Sequence, residues 1–162
     1  MNLTNLKQFL VNLFQRKTEW DKLRSYPILK DFTRYELFLF SQMVQERQFK
    51  QGEIIYQEQF PLAVIYLIEK GVIDISEDHN GRQNSFELGR HQIIGMIDIY
   101  TEDKRKGRAI AKTDSTLLAI SHLDFISFVQ ANPRTGIKLL NNVCRIVCQF
   151  AINLQKRQEP MA

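Results

Sequence analysis

Between Gln48 and Ile120 the chain is cut into short apolar runs, each closed by a turn signal. Gly52 precedes Ile54–Tyr56, and Val64–Ile68 reads as a buried strand that ends at Gly71. Val72, Ile73 and Ile75 open the next run, and Asn80–Gly81 is the strongest hairpin signal in the chain. Phe86 and Leu88 follow, then Gly89, Ile93–Ile94 with Gly95, and a last pair around Ala109–Ala111 and Leu117–Ile120. Strands recurring about every ten residues between turns cannot be linked by crossover helices, so this stretch predicts a small antiparallel barrel or roll.

Helical spacing frames the strands on both sides. Leu3, Leu6, Leu10, Leu13 and Phe14 predict an amphipathic helix over 3–16. Thr18 with Asp21 resembles a capping box and opens a short helix through Trp20 and Leu23, punctuated by Pro27. Thr33 with Glu36 is a second box, ahead of Leu37, Phe40 and Val44, so residues up to about 47 read as mostly helical. After the strands, Ser121 with Asp124 caps a helix through Phe125 and Val129. Asn132–Pro133 then starts a long helix over about 134–156.

A chain of 162 residues suits one domain, and 44% apolar content with 11 Phe can fill its core. A net charge of +4 permits an anionic ligand but does not demand nucleic acid. The N-terminus lacks the pattern of a signal peptide, and no apolar run approaches the roughly 18 residues of a membrane span. These points lead to a cytoplasmic expectation. Cys144 and Cys148 share a helix face and read as buried apolar packing rather than a disulfide or metal pair. His79, His91 and His122 are scattered, no nucleophile and base share a catalytic spacing, and the chain reads as a non-enzyme without a metal.

In this order of elements, four stretches resemble the cyclic-nucleotide-binding domain family of the catabolite activator protein and kinase regulatory subunits. They are Gln48-Phe49-Lys50-Gln51-Gly52-Glu53-Ile54-Ile55-Tyr56-Gln57-Glu58, Tyr66-Leu67-Ile68-Glu69-Lys70-Gly71, Leu88-Gly89 with Ile94-Gly95, and Ala111 to Ile120. The resemblance covers about residues 28–155 and implies an α+β fold: a jelly-roll-like antiparallel roll of about eight strands, flanked by N-terminal helices and a long C-terminal helix. It divides the chain into an N-terminal helical extension (1–27), the roll with its leading helix (28–125) and C-terminal helices for dimerisation (126–162).

The resemblance also implies a phosphate-binding loop. Such a loop carries a Gly-Glu pair at a short helix start and an Arg nine residues after the Glu. The glycine admits the cyclic phosphate to backbone N–H groups, the Arg pairs with it, and the Glu accepts from the ribose hydroxyl. Gly95 and Arg105 match that pattern, but Met96 stands where the Glu belongs. Ile97 follows, Lys106 and Gly107 replace a small polar residue and Ala, and His91 replaces a frequent turn glycine. A hydrogen bond to a charged group contributes roughly 1.5–3 kcal/mol, so its loss weakens binding on the order of 10- to 1000-fold. Asp98 is the one nearby carboxylate able to substitute. The candidate ligand site is therefore Gly95, Met96, Ile97, Arg105, Lys106 and Gly107, with no firm cofactor and at most a cyclic nucleotide or other phosphate compound at low affinity. On this reading Met96→Glu restores the sugar contact and Gly107→Ala stiffens the end of the loop.

Lys104, Arg105, Lys106 and Arg108 place four cations in five residues, either as extra phosphate charge, as a surface for an acidic partner or as a solvated loop. On the last helix, Ile137, Leu140, Cys144, Val147, Ala151 and Leu154 form an a/d seam, while Val143, Ile146 and Phe150 lie off it and face the roll. The seam predicts a homodimer, which the resemblance also implies. Few residues follow the helix, so the expectation is a protein partner rather than direct DNA binding. Three functions compete: a ligand-independent interaction and dimerisation module, a small-ligand sensor in transcriptional or signalling control, or a DNA-binding regulator that lost or receives in trans its reading head, which the expected lack of a helix-turn-helix disfavours.

Overall fold

A computed structural model describes residues 22–79, 82–95 and 104–158. The amphipathic stretch 3–16 and the Thr18–Asp21 box lie outside them. A 3-10 turn at Pro27–Leu29 leads into α1 (Arg34–Ser41). The expected box at its start is complete. The Thr33 hydroxyl accepts from the Glu36 amide at 3.3 Å, and the Glu36 carboxylate accepts from the Thr33 amide at 2.7 Å. Leu37 and Phe40 are buried. The helix stops at Ser41, short of the expected end, because β1 (Val44–Phe49) pairs along its whole length with a strand far away in sequence. That ladder outweighs the local spacing that put Val44 on a helix face.

The remaining strands are β2 (Ile54–Tyr56), β3 (Val64–Lys70), β4 (Ile73–His79), β5 (Arg82–Leu88), β6 (Ile93–Ile94), β7 (Gly107–Ala111) and β8 (Ser115–Ser121). They form two antiparallel sheets, β1-β8-β3-β6 and β2-β7-β4-β5. With the flanking helices this is the α+β roll that the turn spacing predicts. β4 and β5 pair from Ile73–Leu88 to His79–Arg82, and the expected Asn80–Gly81 turn lies outside the described residues.

Two compartments of core share one sheet. Successive side chains of a strand point to opposite faces. In β3, Ile65 and Leu67 face the helices while Tyr66 and Ile68 face the inside of the roll; in β8, Leu118 and Ile120 face the helices while Leu117 and Ala119 face inward. Both strands are therefore wetted on neither face, which is why Val64–Ile68 and Leu117–Ile120 are continuous apolar runs rather than alternating ones. Ala109 and Ala111 of β7 let the second sheet close over the inner compartment.

Ser121 caps α2 (His122–Ala131), its hydroxyl accepting from the Asp124 amide. Pro133 opens α3 (Pro133–Gln158). Leu139 and Val143 bury one face of α3 against the helical compartment. Cys144 and Cys148 are exposed, which corrects the expectation that they pack inside. The face that reaches the roll is already taken by Leu139, Val143 and Ile146, so the cysteines turn outward. Among the described residues no helix is long and apolar enough to cross a membrane.

Candidate functional site

The chain leaves β6 through Gly95 and re-enters the described structure at Lys104, which bridges to Pro61. Met96, Ile97 and Asp98 lie between, outside the described residues. The Arg105 amide donates to the Phe60 carbonyl and its own carbonyl accepts from the Gln59 amide, each at 2.8 Å. This fastens Arg105 to the loop between β2 and β3. Strand alternation then exposes Lys104, Lys106 and Arg108 and turns Arg105 inward, where it is 3% exposed. Its guanidinium lies 4.0 Å over the Tyr56 ring and donates through Nη2 to the Val64 carbonyl.

Gly95 is needed here twice over. Its φ of 84° is a conformation side chains rarely adopt, and a Cβ would fall 2.5 Å from Arg105 Nη1. The backbone makes way for the arginine. At Gly107 a Cβ would fall 2.5 Å from the Ser76 carbonyl oxygen. Alanine there collides with β4, which overturns the expectation that it would stiffen the loop. His91, marked in the sequence as standing for a turn glycine, takes the left-handed conformation with φ 67°. Its ring packs edge-on to Tyr26 at 5.5 Å, and its amide donates to the Ile68 carbonyl at 2.8 Å. Burial pushes the Tyr26 hydroxyl pKa well above its ordinary value; the Glu69 carboxylate adds to this and Arg90 opposes it.

Beside Gly95 the mouth of the roll opens into a cavity of about 370 Å³. Ile75, Phe86, Leu88 and Ile94 wall it from the strands, and Ile146 and Phe150 from α3. Tyr56, on whose ring Arg105 stacks, is also in the wall. Among the described residues, no group of three or more His, Cys, Asp or Glu could hold a metal ion.

Residues 46–132 match the family model of the cyclic nucleotide-binding domain. The chain belongs to that family. A protein of Rhodopseudomonas palustris described as a potassium channel is 21% identical over 133 residues, which cover 82% of this chain and 31% of that protein. The cyclic AMP receptor protein of Thermus thermophilus is 24% identical over 113 residues, covering 68% of this chain and 52% of that one. A cyclic nucleotide-binding domain from Methylobacillus flagellatus superposes with a TM-score of 0.78 at 16% identity, over 86% of this chain and 82% of that one. The chain thus spans about half or less of the length of these two curated relatives.

In this cyclic nucleotide-binding domain, α3 has two faces. On the seam, Ile137 is 60% exposed, Val147 is 37% exposed, Cys144 and Ala151 are exposed, and Leu140 is half-buried. The Leu154 side chain lies outside the described residues. Off the seam Val143 is buried and Ile146 packs on the helical core, whereas Phe150 borders the cavity and stays 50% exposed. Polar contacts strap the first half of α3 to the segment before the roll. Lys138 Nζ reaches both Glu36 oxygens at 2.8 and 2.9 Å, and the Thr135 hydroxyl donates to Glu36 at 3.1 Å. The buried Asn142 amide donates to the Ile28 carbonyl at 3.1 Å, and Arg145 lies 3.7 Å from Asp31. Partial burial works to raise the Glu36 pKa. The hydrogen bonds from Lys138, Thr33 and Thr135 outweigh it and bring the carboxyl down from 4.5 to about 2.

Sequence reasoning marked Gly95 and Arg105 but missed Tyr56, the cavity walls and the Glu36 strap. The one signal for Glu36 was its capping box, which explains its local bonds and not Lys138.

Proposed function

We propose that this is a non-catalytic regulatory domain that works without a cyclic nucleotide, as an interaction and dimerisation module joined through α3. One observation carries the reading: α3 is held to the body of the domain by its inner face and the Glu36 strap, while Ile137, Cys144, Val147 and Ala151 of its seam stay exposed. An exposed stripe of this kind is what a helix keeps for a partner helix. The bonding of Arg105 to Val64 and its stacking on Tyr56 support the same reading, since the cation expected to meet a phosphate already has partners inside the protein. Met96 in the place of the sugar-binding Glu adds to it.

Light scattering tests the module. The wild type should give twice the chain mass at micromolar concentration, and Ile137→Glu with Val147→Glu should give one chain mass, because a dimer would bury the new charges unpaired. A monomeric wild type rejects the reading. Calorimetry should show no saturable binding of cyclic AMP or cyclic GMP up to about 100 μM, a free energy of roughly −5.5 kcal/mol or weaker. A second reading, a small-ligand sensor, is favoured by the cavity at the mouth of the roll. For it, screening phosphate compounds by thermal shift decides.

A further inference from the structure

We propose that the cavity between the mouth of the roll and α3 binds an uncharged, apolar small molecule of acyl or aryl type rather than a nucleotide. The inference goes beyond the dimer module and does not depend on it. A volume of about 370 Å³ sits at the lower end of small-molecule pockets, which run roughly 300–1,000 Å³. The walls come from β4, β5, β6 and α3, so an occupant touches the roll and the long helix at once.

Three side chains make the case for an apolar occupant. Phe86 is 45% exposed, Val147 37% and Phe150 50%, and all three border this one space. A single exposed aromatic is ordinary on a protein surface, but large apolar groups from a strand and a helix converging on one cavity are not. Ile75, Leu88 and Ile94 continue the same lining inward. A molecule lodged there removes its own apolar surface and that of the walls from water.

Among the described residues, the polar groups on the wall argue against a nucleotide and against an anion. They are Glu77, His91, Gln92 and Tyr56. Gln92 Oε1 already accepts from the Gly89 amide at 2.7 Å. Arg105 is already stacked against Tyr56 and bonded to Val64. An anionic head would lose its hydration beside Glu77, whereas a single hydroxyl or carbonyl needs only one partner.

Calorimetry on the full chain with straight-chain alcohols from butanol to dodecanol tests this, with sodium carboxylates of equal length and cyclic AMP alongside. The alcohols should bind saturably at one per chain, about fourfold tighter for each added methylene until the chain fills the space, and no tighter beyond. The carboxylates should bind at least about tenfold more weakly. Leu88→Trp and Ile146→Trp fill the cavity from opposite walls. Either variant that keeps the wild-type circular dichroism spectrum should lose at least about tenfold in alcohol affinity. Absence of saturable alcohol binding in the wild type overturns the proposal, as does undiminished binding in a folded tryptophan variant. Carboxylates binding more tightly than alcohols, or cyclic AMP displacing the alcohol, overturns its chemistry. A wild type that binds alcohol as a monomer counts against the dimer module alone.

Discussion

Arg105 is the residue whose meaning changes most between the linear sequence and the fold. Read by spacing, it is a cation waiting for a phosphate; in the structure it holds the loop after β2 to the start of β3. Arg105→Ala should therefore destabilise the ligand-free protein by about 1–3 kcal/mol, because the Val64 carbonyl loses a charged donor and Tyr56 its stacked partner. A lower urea midpoint is the expected result; an unchanged one would return Arg105 to a purely ligand-facing role. Gly107→Ala should lower stability by about 1–3 kcal/mol through its collision with the Ser76 carbonyl, seen as a lower melting temperature. The backbone requirements at Gly95 and at the glycine-like turn of His91 were legible in the sequence, because each is tied to a fixed spacing. The stacking on Tyr56 was not, since only the closed roll decides which ring lies under the guanidinium. Gly107 looked like slack for a similar reason: its neighbour is the backbone of β4, which no local pattern announces.

Among the elements, α3 is the one whose attachment can be titrated. Glu36 joins the start of α1 to Thr135 and Lys138 of α3. Its carboxyl pKa falls from 4.5 to about 2 on folding. A depressed folded pKa gives stability that is fully present above pH 4.5 and is lost as pH falls toward 2. Glu36→Gln should cost roughly 1–2 kcal/mol at neutral pH, the low end for charged hydrogen bonds because Lys138 is 39% exposed. Urea unfolding of both proteins should show that gap closing as the pH drops from 4.5 toward 2. A gap that stays constant over this range would mean the carboxylate's charge is not what binds α3. The strands were read almost entirely from their turns. The end of α1 was misjudged because Val44 suits either a helix face or a ladder, and pairing with Ile120 settles it. Cys144 carried two readings, as buried packing with Cys148 and as part of the outward seam, and its exposure agrees with the seam.

At the scale of the whole molecule, the sheet holding β3 and β8 belongs to both compartments of the core. Leu67→Ala, on the helix side, and Ile68→Ala, on the roll side, should each cost about 2–5 kcal/mol. Each should lower a single cooperative unfolding transition rather than split it, because neither compartment keeps its wall when the other melts. Two resolved transitions in calorimetry would show that the compartments are independent. The strand order also sets when the fold can begin. β8 lies between β1 and β3, pairing Val44 with Ile120 on one side and Tyr66 with Ala119 on the other. A nascent chain that has emerged only as far as β7 has no centre for its first sheet, and β1 has no neighbour at all. Until β8 emerges, β3 has only β6 beside it and its other edge stays open, so refolding from denaturant should run on the slow scale of long-range β pairing, milliseconds to seconds.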